Sequence, residues 1–202
     1  MVVLAYCLYR CSVRYAWHYS WSLWSQEWDP EGVKLVSGEG GYIELRPVAY
    51  QFEIPEPVPA DDEDDGEWLV VRGDVRLDDG REWTFTGPYL TTSETRRLGT
   101  WLASAGAGRI APSPASPPGR ELISFTEPGI ALSIASLSAD RASVRVHFSH
   151  ESMPPWHPHH DWPDYQAYFI VLDVSTVGLT CAAAQWNRDL QAFPARASRP
   201  HP

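Results

Sequence analysis

Lysine is nearly missing from this chain: fifteen of its sixteen basic residues are arginine, and Lys34 is the exception. That bias reads as codon usage in a GC-rich genome rather than as chemistry. Positive charge is scarce altogether. Sixteen bases against 26 acids leave a formal net charge of -10, so the cationic face that general binding to nucleic acid or to an anionic membrane requires is not expected. A basic protein partner fits such a chain instead. Cysteine is sparse too. Cys7, Cys11 and Cys181 are too few and too scattered for a disulfide framework, and a reducing compartment follows. No run approaches the roughly 18 apolar residues of a membrane span. Arg10 and Arg14 interrupt the apolar N-terminus, which has neither a basic leader nor a small-residue cleavage site. Leu4-Ala5-Tyr6-Cys7 fails as a lipoprotein box because Tyr6 is too large before the cysteine. A cytoplasmic protein is expected.

What is present suits one domain. The chain has 202 residues, 44% of them apolar and 21% charged, too apolar for wholesale disorder and long enough for one ordinary core. Residues 1–36 differ from the rest. They hold Trp17, Trp21, Trp24 and Trp28 at helical spacing and four of the nine tyrosines. A start codon placed too far upstream, a disordered tail and an aromatic docking helix all account for this composition. The expected organisation is a doubtful extension over 1–36, one domain over 37–196 and a tail over 197–202.

The body reads as an α+β domain with an antiparallel sheet of about seven strands and two covering helices. Residues 42–52 alternate as a strand, with Pro47 marking an edge or bulge. Residues 68–86 make a hairpin turning at Asp78-Asp79-Gly80. Thr91 with Glu94 forms a capping box before a helix whose apolar face is Leu98, Trp101 and Leu102, ended by Gly106 or Gly108. Strands follow at 121–126, 130–136, 142–149 and 165–174. Ser175 caps a last helix with Leu179, Ala182 or Ala183, Trp186 and Leu190 on its apolar face. The sequence has no internal repeat. Trp68, Trp83, Trp101, Trp156 and Trp186, with Cys181, are expected in the core.

Catalytic templates fail. There is no G-x-S-x-G elbow and no Walker sequence, and Gly38-Glu39-Gly40-Gly41 precedes a strand rather than opening a helix. Five of the seven histidines fall within residues 147–160. A zinc site needs three or four converging ligands, and Pro154 stands where an HExxH motif needs its second histidine. His157, His159, His160 and Asp161 are the weak alternative ligand set, and no cofactor is expected. Residues 53–67 carry eight acids and no base in a Pro-rich loop. A solvated charge run accounts for such a segment without any function. The functional reading is a patch for a basic partner, made of Asp61, Asp62, Glu63, Asp64, Asp65 and Glu67.

Several short stretches, in order, resemble one family. Trp83-Thr84-Phe85-Thr86-Gly87-Pro88-Tyr89-Leu90-Thr91 with Glu94, Leu98, Trp101 and Leu102 is similar to the W-x-F-x-x-P-x-L and E-x-x-x-L-x-x-W-L stretch of the WapI family of bacterial immunity proteins. Phe125-Thr126-Glu127-Pro128 resembles its F-x-E-P strand entry. Residues 148–156, with Glu151, Pro154, Pro155 and Trp156, resemble its E-x-x-P-P-W, and Phe193-Pro194-Ala195-Arg196 resembles its F-P-x-R. The resemblance spans residues 42–196. It implies a non-enzymatic antidote, a monomer or weak dimer that neutralises the C-terminal toxic domain of a cognate polymorphic toxin, often a nuclease. It carries over no catalytic residue; the histidine-rich insert after Trp156 is not typical of it, and residues 1–36 have no counterpart in it. The rivals are a toxin-independent interaction module and a metal-dependent enzyme centred on 147–164.

Overall fold

In a computed structural model, the described residues are 32–52, 67–114, 122–157 and 168–196. They form eight strands and two helices in two four-stranded antiparallel sheets. The first sheet is a meander of β1 (Val33–Val36), β2 (Tyr42–Tyr50), β3 (Trp68–Arg76) and β4 (Glu82–Thr91), followed directly by α1 (Thr92–Gly106). The second repeats that order with β5 (Ile123–Ser124), β6 (Ile130–Leu137), β7 (Arg141–Phe148) and β8 (Tyr168–Ser175), followed directly by α2 (Thr176–Asp189). The architecture is thus a fourfold meander plus helix, made twice, although the two halves share no sequence pattern. The expectation of one sheet of about seven strands becomes two sheets of four.

Local chemistry explains most boundaries. Asp79-Gly80 turns the β3–β4 hairpin, and Gly80 takes φ 87°, a left-handed conformation glycine adopts without steric cost. The Thr91/Glu94 capping box forms as read. Glu94 N donates to Thr91 Oγ1 at 3.3 Å, and Thr91 N donates to Glu94 Oε2 at 3.0 Å. Ser175 Oγ likewise accepts from Gly178 N at 2.9 Å at the start of α2. Two features depart from the sequence reading. Strand β4 runs through Gly87-Pro88 to Thr91, because β4 ends the sheet order and a register shift opposite Leu69/Val70 absorbs the extra residue. And Val33–Val36 is a strand, paired with 42–45 and burying Val33 and Leu35. The sheet therefore takes in four residues that the break placed at residue 36 would leave outside the domain.

The inner faces of both sheets and the facing sides of the helices share one core. Phe148 of β7 joins the two sheets: its ring lies 5.1 Å from that of Trp83 and 5.9 Å from that of Phe85, both on β4, in edge-on arrangements. The helices pack on each other, and α2 also lies against β1. Trp186, fully buried, donates its Nε1–H to Thr95 O at 2.7 Å and so ties α2 to the first turn of α1. Trp83, Trp101 and Trp186 are buried as expected, whereas Trp68 and Cys181 are only partly buried and Trp156 is 40% exposed. No helix among the described residues is long and apolar enough to cross a membrane.

Candidate partner-binding site

The acidic segment starts and ends at one end of the central β2–β3 strand pair of the first sheet. Asp61, Asp62, Glu63, Asp64 and Asp65 lie outside the described residues. Phe52 and Glu67, which flank them, are within, and both are tied to Arg196 in the C-terminal segment. Arg196 donates from its side chain to Phe52 O at 2.7 Å and from its backbone N–H to Glu67 Oε1 at 2.7 Å. Its guanidinium lies 3.4 Å from the Tyr50 ring centre, a cation–π contact. Tyr50 donates its hydroxyl to Pro194 O and meets Phe193 edge-on at 5.7 Å. Thr92, the first residue of α1, donates to the other oxygen of Glu67. Gln51 N donates to Trp68 O at 2.8 Å and closes the β2–β3 pairing beside this cluster.

These contacts give Glu67 a structural role. Its carboxylate is engaged on both oxygens, so it anchors the start of β3. Burial pushes the Tyr50 phenol above its ordinary value and the adjacent Arg196 charge pulls the other way. The clamp was missed in the sequence because its partners are far apart: Tyr50 and Pro194 are separated by 144 positions, and Glu67 and Arg196 by 129. The only signal was the Phe193-Pro194-Ala195-Arg196 stretch, which reads locally as the end of a helix.

The histidines are dispersed. His147 projects from β7 away from the core side yet is buried, with Nε2 3.2 Å from Ser133 Oγ and its ring 5.3 Å from Phe169. His150 takes φ 52° where the chain leaves β7. His157 packs its ring 4.8 Å from that of Tyr168. His159, His160 and Asp161 lie outside the described residues, and among the described residues no group of three or more His, Cys, Asp or Glu is placed to hold a metal.

The most buried phenol among the described residues belongs to a different corner. Tyr89 sits at the β4 bulge at 2% exposure, and burial pushes its hydroxyl up to about 12, with the charges of Glu151 and Glu127 adding to the effect. Among the described residues the Tyr89 hydroxyl has no hydrogen-bond partner.

No curated protein and no solved structure matches the chain. A family model does: the immunity protein WapI-like family matches residues 34–194, from within β1 to the Pro194 contact of the clamp. With most of its length covered, including both helices and nearly all of both sheets, the chain belongs to the WapI-like family of immunity proteins.

Proposed function

We propose that this protein binds the toxic C-terminal domain of a cognate polymorphic toxin and neutralises it by stoichiometric occlusion, without catalysis. Membership of the immunity family over residues 34–194 is the observation that carries this reading. The net charge of -10 supports a basic toxin domain as partner, such as a nuclease with a cationic cleft, because complementary charge speeds encounter and fixes orientation. In this reading the protein acts in the cytoplasm of the producing cell, as a monomer or weak dimer, without cofactor or metal. Asp61, Asp62, Glu63, Asp64 and Asp65 form the steering patch, and Glu67, held by Thr92 and Arg196, fixes the point from which the patch enters β3.

The test is the adjacent gene. Its product's C-terminal domain, expressed alone, should arrest growth. Co-expression of this chain should restore growth, and the two should elute as a one-to-one complex. Continued arrest with no complex would overturn the proposal.

A further inference from the structure

Trp156 is the one tryptophan among the large apolar side chains that the described structure leaves exposed. It is nevertheless held in place. The buried Trp83 ring meets it edge-on at 5.6 Å and an interplanar angle of 85°. Trp83 is fixed in turn by its Nε1–H donating to Ser152 O at 2.9 Å. On its other contact, the Arg81 guanidinium lies 5.3 Å from the Trp156 ring centre. Arg81 is itself paired with Asp79 at 2.7 Å. Tyr168 stands beside them, 6.4 Å from the Trp83 ring. The β3–β4 hairpin tip, the segment after β7 and the start of β8 therefore present a Trp–Arg–Tyr group whose tryptophan is held by a buried ring. Aromatic and arginine anchors of this kind carry most of the energy in protein interfaces, and an anchor already locked in place loses little entropy on binding.

Acids outnumber bases on the rim. Asp78, Asp79, Glu82 and Glu151 are exposed on the hairpin tip and the segment after β7, against two exposed bases, Arg81 and Arg76, the latter opposite Glu82 on β3. An aromatic centre inside an acidic rim complements a protein surface with an apolar hollow ringed by Lys or Arg. From these contacts and this charge we infer that the Trp156 corner is the anchor through which the protein grips its toxin domain. The inference rests on the immunity reading and adds a surface to it. The corner and Glu67 lie towards opposite ends of β3, about 26 Å apart at roughly 3.3 Å per residue. An ordinary interface of roughly 800 Å² per partner spans such a distance.

The probe is the purified C-terminal domain of the adjacent gene's product, titrated with wild-type protein and with Trp156→Ala, Pro155→Arg, Glu82→Lys and Val48→Ala. Trp156→Ala should weaken binding at least about 30-fold, mainly through faster dissociation. Pro155→Arg and Glu82→Lys, which put positive charge into an acidic rim, should each weaken it several-fold and keep the wild-type melt. Val48→Ala, equally exposed but on β2, should leave affinity within about twofold. If Trp156→Ala unfolds, the two rim variants decide. Wild-type affinity in the folded corner variants overturns the anchor and leaves the immunity reading standing, whereas no binding by the wild type overturns both. Sedimentation supplies the remaining arm: a wild-type dimer that Trp156→Ala dissociates, with toxin binding unchanged, would assign the corner to self-association and overturn the inference.

Discussion

At the scale of single residues, burial and partners set what a substitution does. Trp83 and Trp101 are 5% and 8% exposed and belong to the core. Truncating either to alanine should remove about 3–5 kcal/mol. A domain of this size has roughly 5–15 kcal/mol to lose. Urea unfolding checks this: an unshifted midpoint with lost binding would make the residue a surface group. Gly73 is a tighter case, because a Cβ there would stand 2.1 Å from Phe85 Cζ, inside a buried ring. Gly73→Ala should lower the melting temperature by several degrees, and Gly73→Ala with Phe85→Leu should recover part of the loss. Tyr89 makes the pH statement. Its folded value, about 12, lies above the ordinary 10, so the folded state keeps a proton that the unfolded chain gives up. Its contribution is complete below pH 10 and is lost as pH rises from 10 through 12. Tyr89→Phe should flatten that alkaline slope, and at neutral pH it should cost little, since the hydroxyl it removes has no partner among the described residues.

At the scale of elements, one side chain does two jobs at the start of α1. Glu94 closes the capping box with Thr91 and also accepts from Thr126 N at 2.7 Å and Thr126 Oγ1 at 2.9 Å, joining the helix to the turn between β5 and β6. Glu94→Ala leaves those donors without the carboxylate, whereas Thr91→Ala removes only a cap worth about 1 kcal/mol. The melting temperature should fall further for Glu94→Ala; equal losses would show that the link across the sheets carries no stability. The Thr91/Glu94 capping box, the Ser175 cap, strand β3 and the alternation of β7 were legible in sequence because each is a local device, complete within four to nine residues. Strand β1 was not, because four residues are too few for a period and its partner residues 42–45 settle its state. The second half of β4 was hidden for a similar reason: Gly87-Pro88 signals a break, and only the bulge against β3 shows that pairing continues.

At the scale of the molecule, the point where the folded body begins is testable. Val33 and Leu35 are 3% and 2% exposed in the core against β2. A chain beginning at Gly32 should melt cooperatively near the full-length temperature. One beginning at Ser37 should melt well below it, since two buried aliphatic side chains and an edge strand are gone. Equal melting of the two would show that β1 is dispensable. The proposed steering patch also belongs to this scale. Changing Asp61, Asp62, Asp64 and Asp65 to Asn should slow association with the toxin domain, most at low salt, because steering is screened beyond a Debye length of about 10 Å at 0.1 M. The melting temperature should hardly move, and an on-rate unaffected by salt would reduce the patch to a solubility device.

The sequence alone determined the class of the fold, the caps, the hairpin and most of the buried faces, because each depends on neighbours within a turn or a strand, and its composition set the acidic character. It also carried the family, through motifs whose order survives in one dimension. Tertiary structure decided the split into two meanders, the membership of β1, the clamp of Arg196 on Tyr50, Phe52 and Glu67, and the exposure of Trp156 beside a buried Trp83. In each of these, what fixes the side chain is a partner dozens of positions or more away, or a neighbouring sheet edge. No local pattern encodes which of two tryptophans the packed sheets will cover.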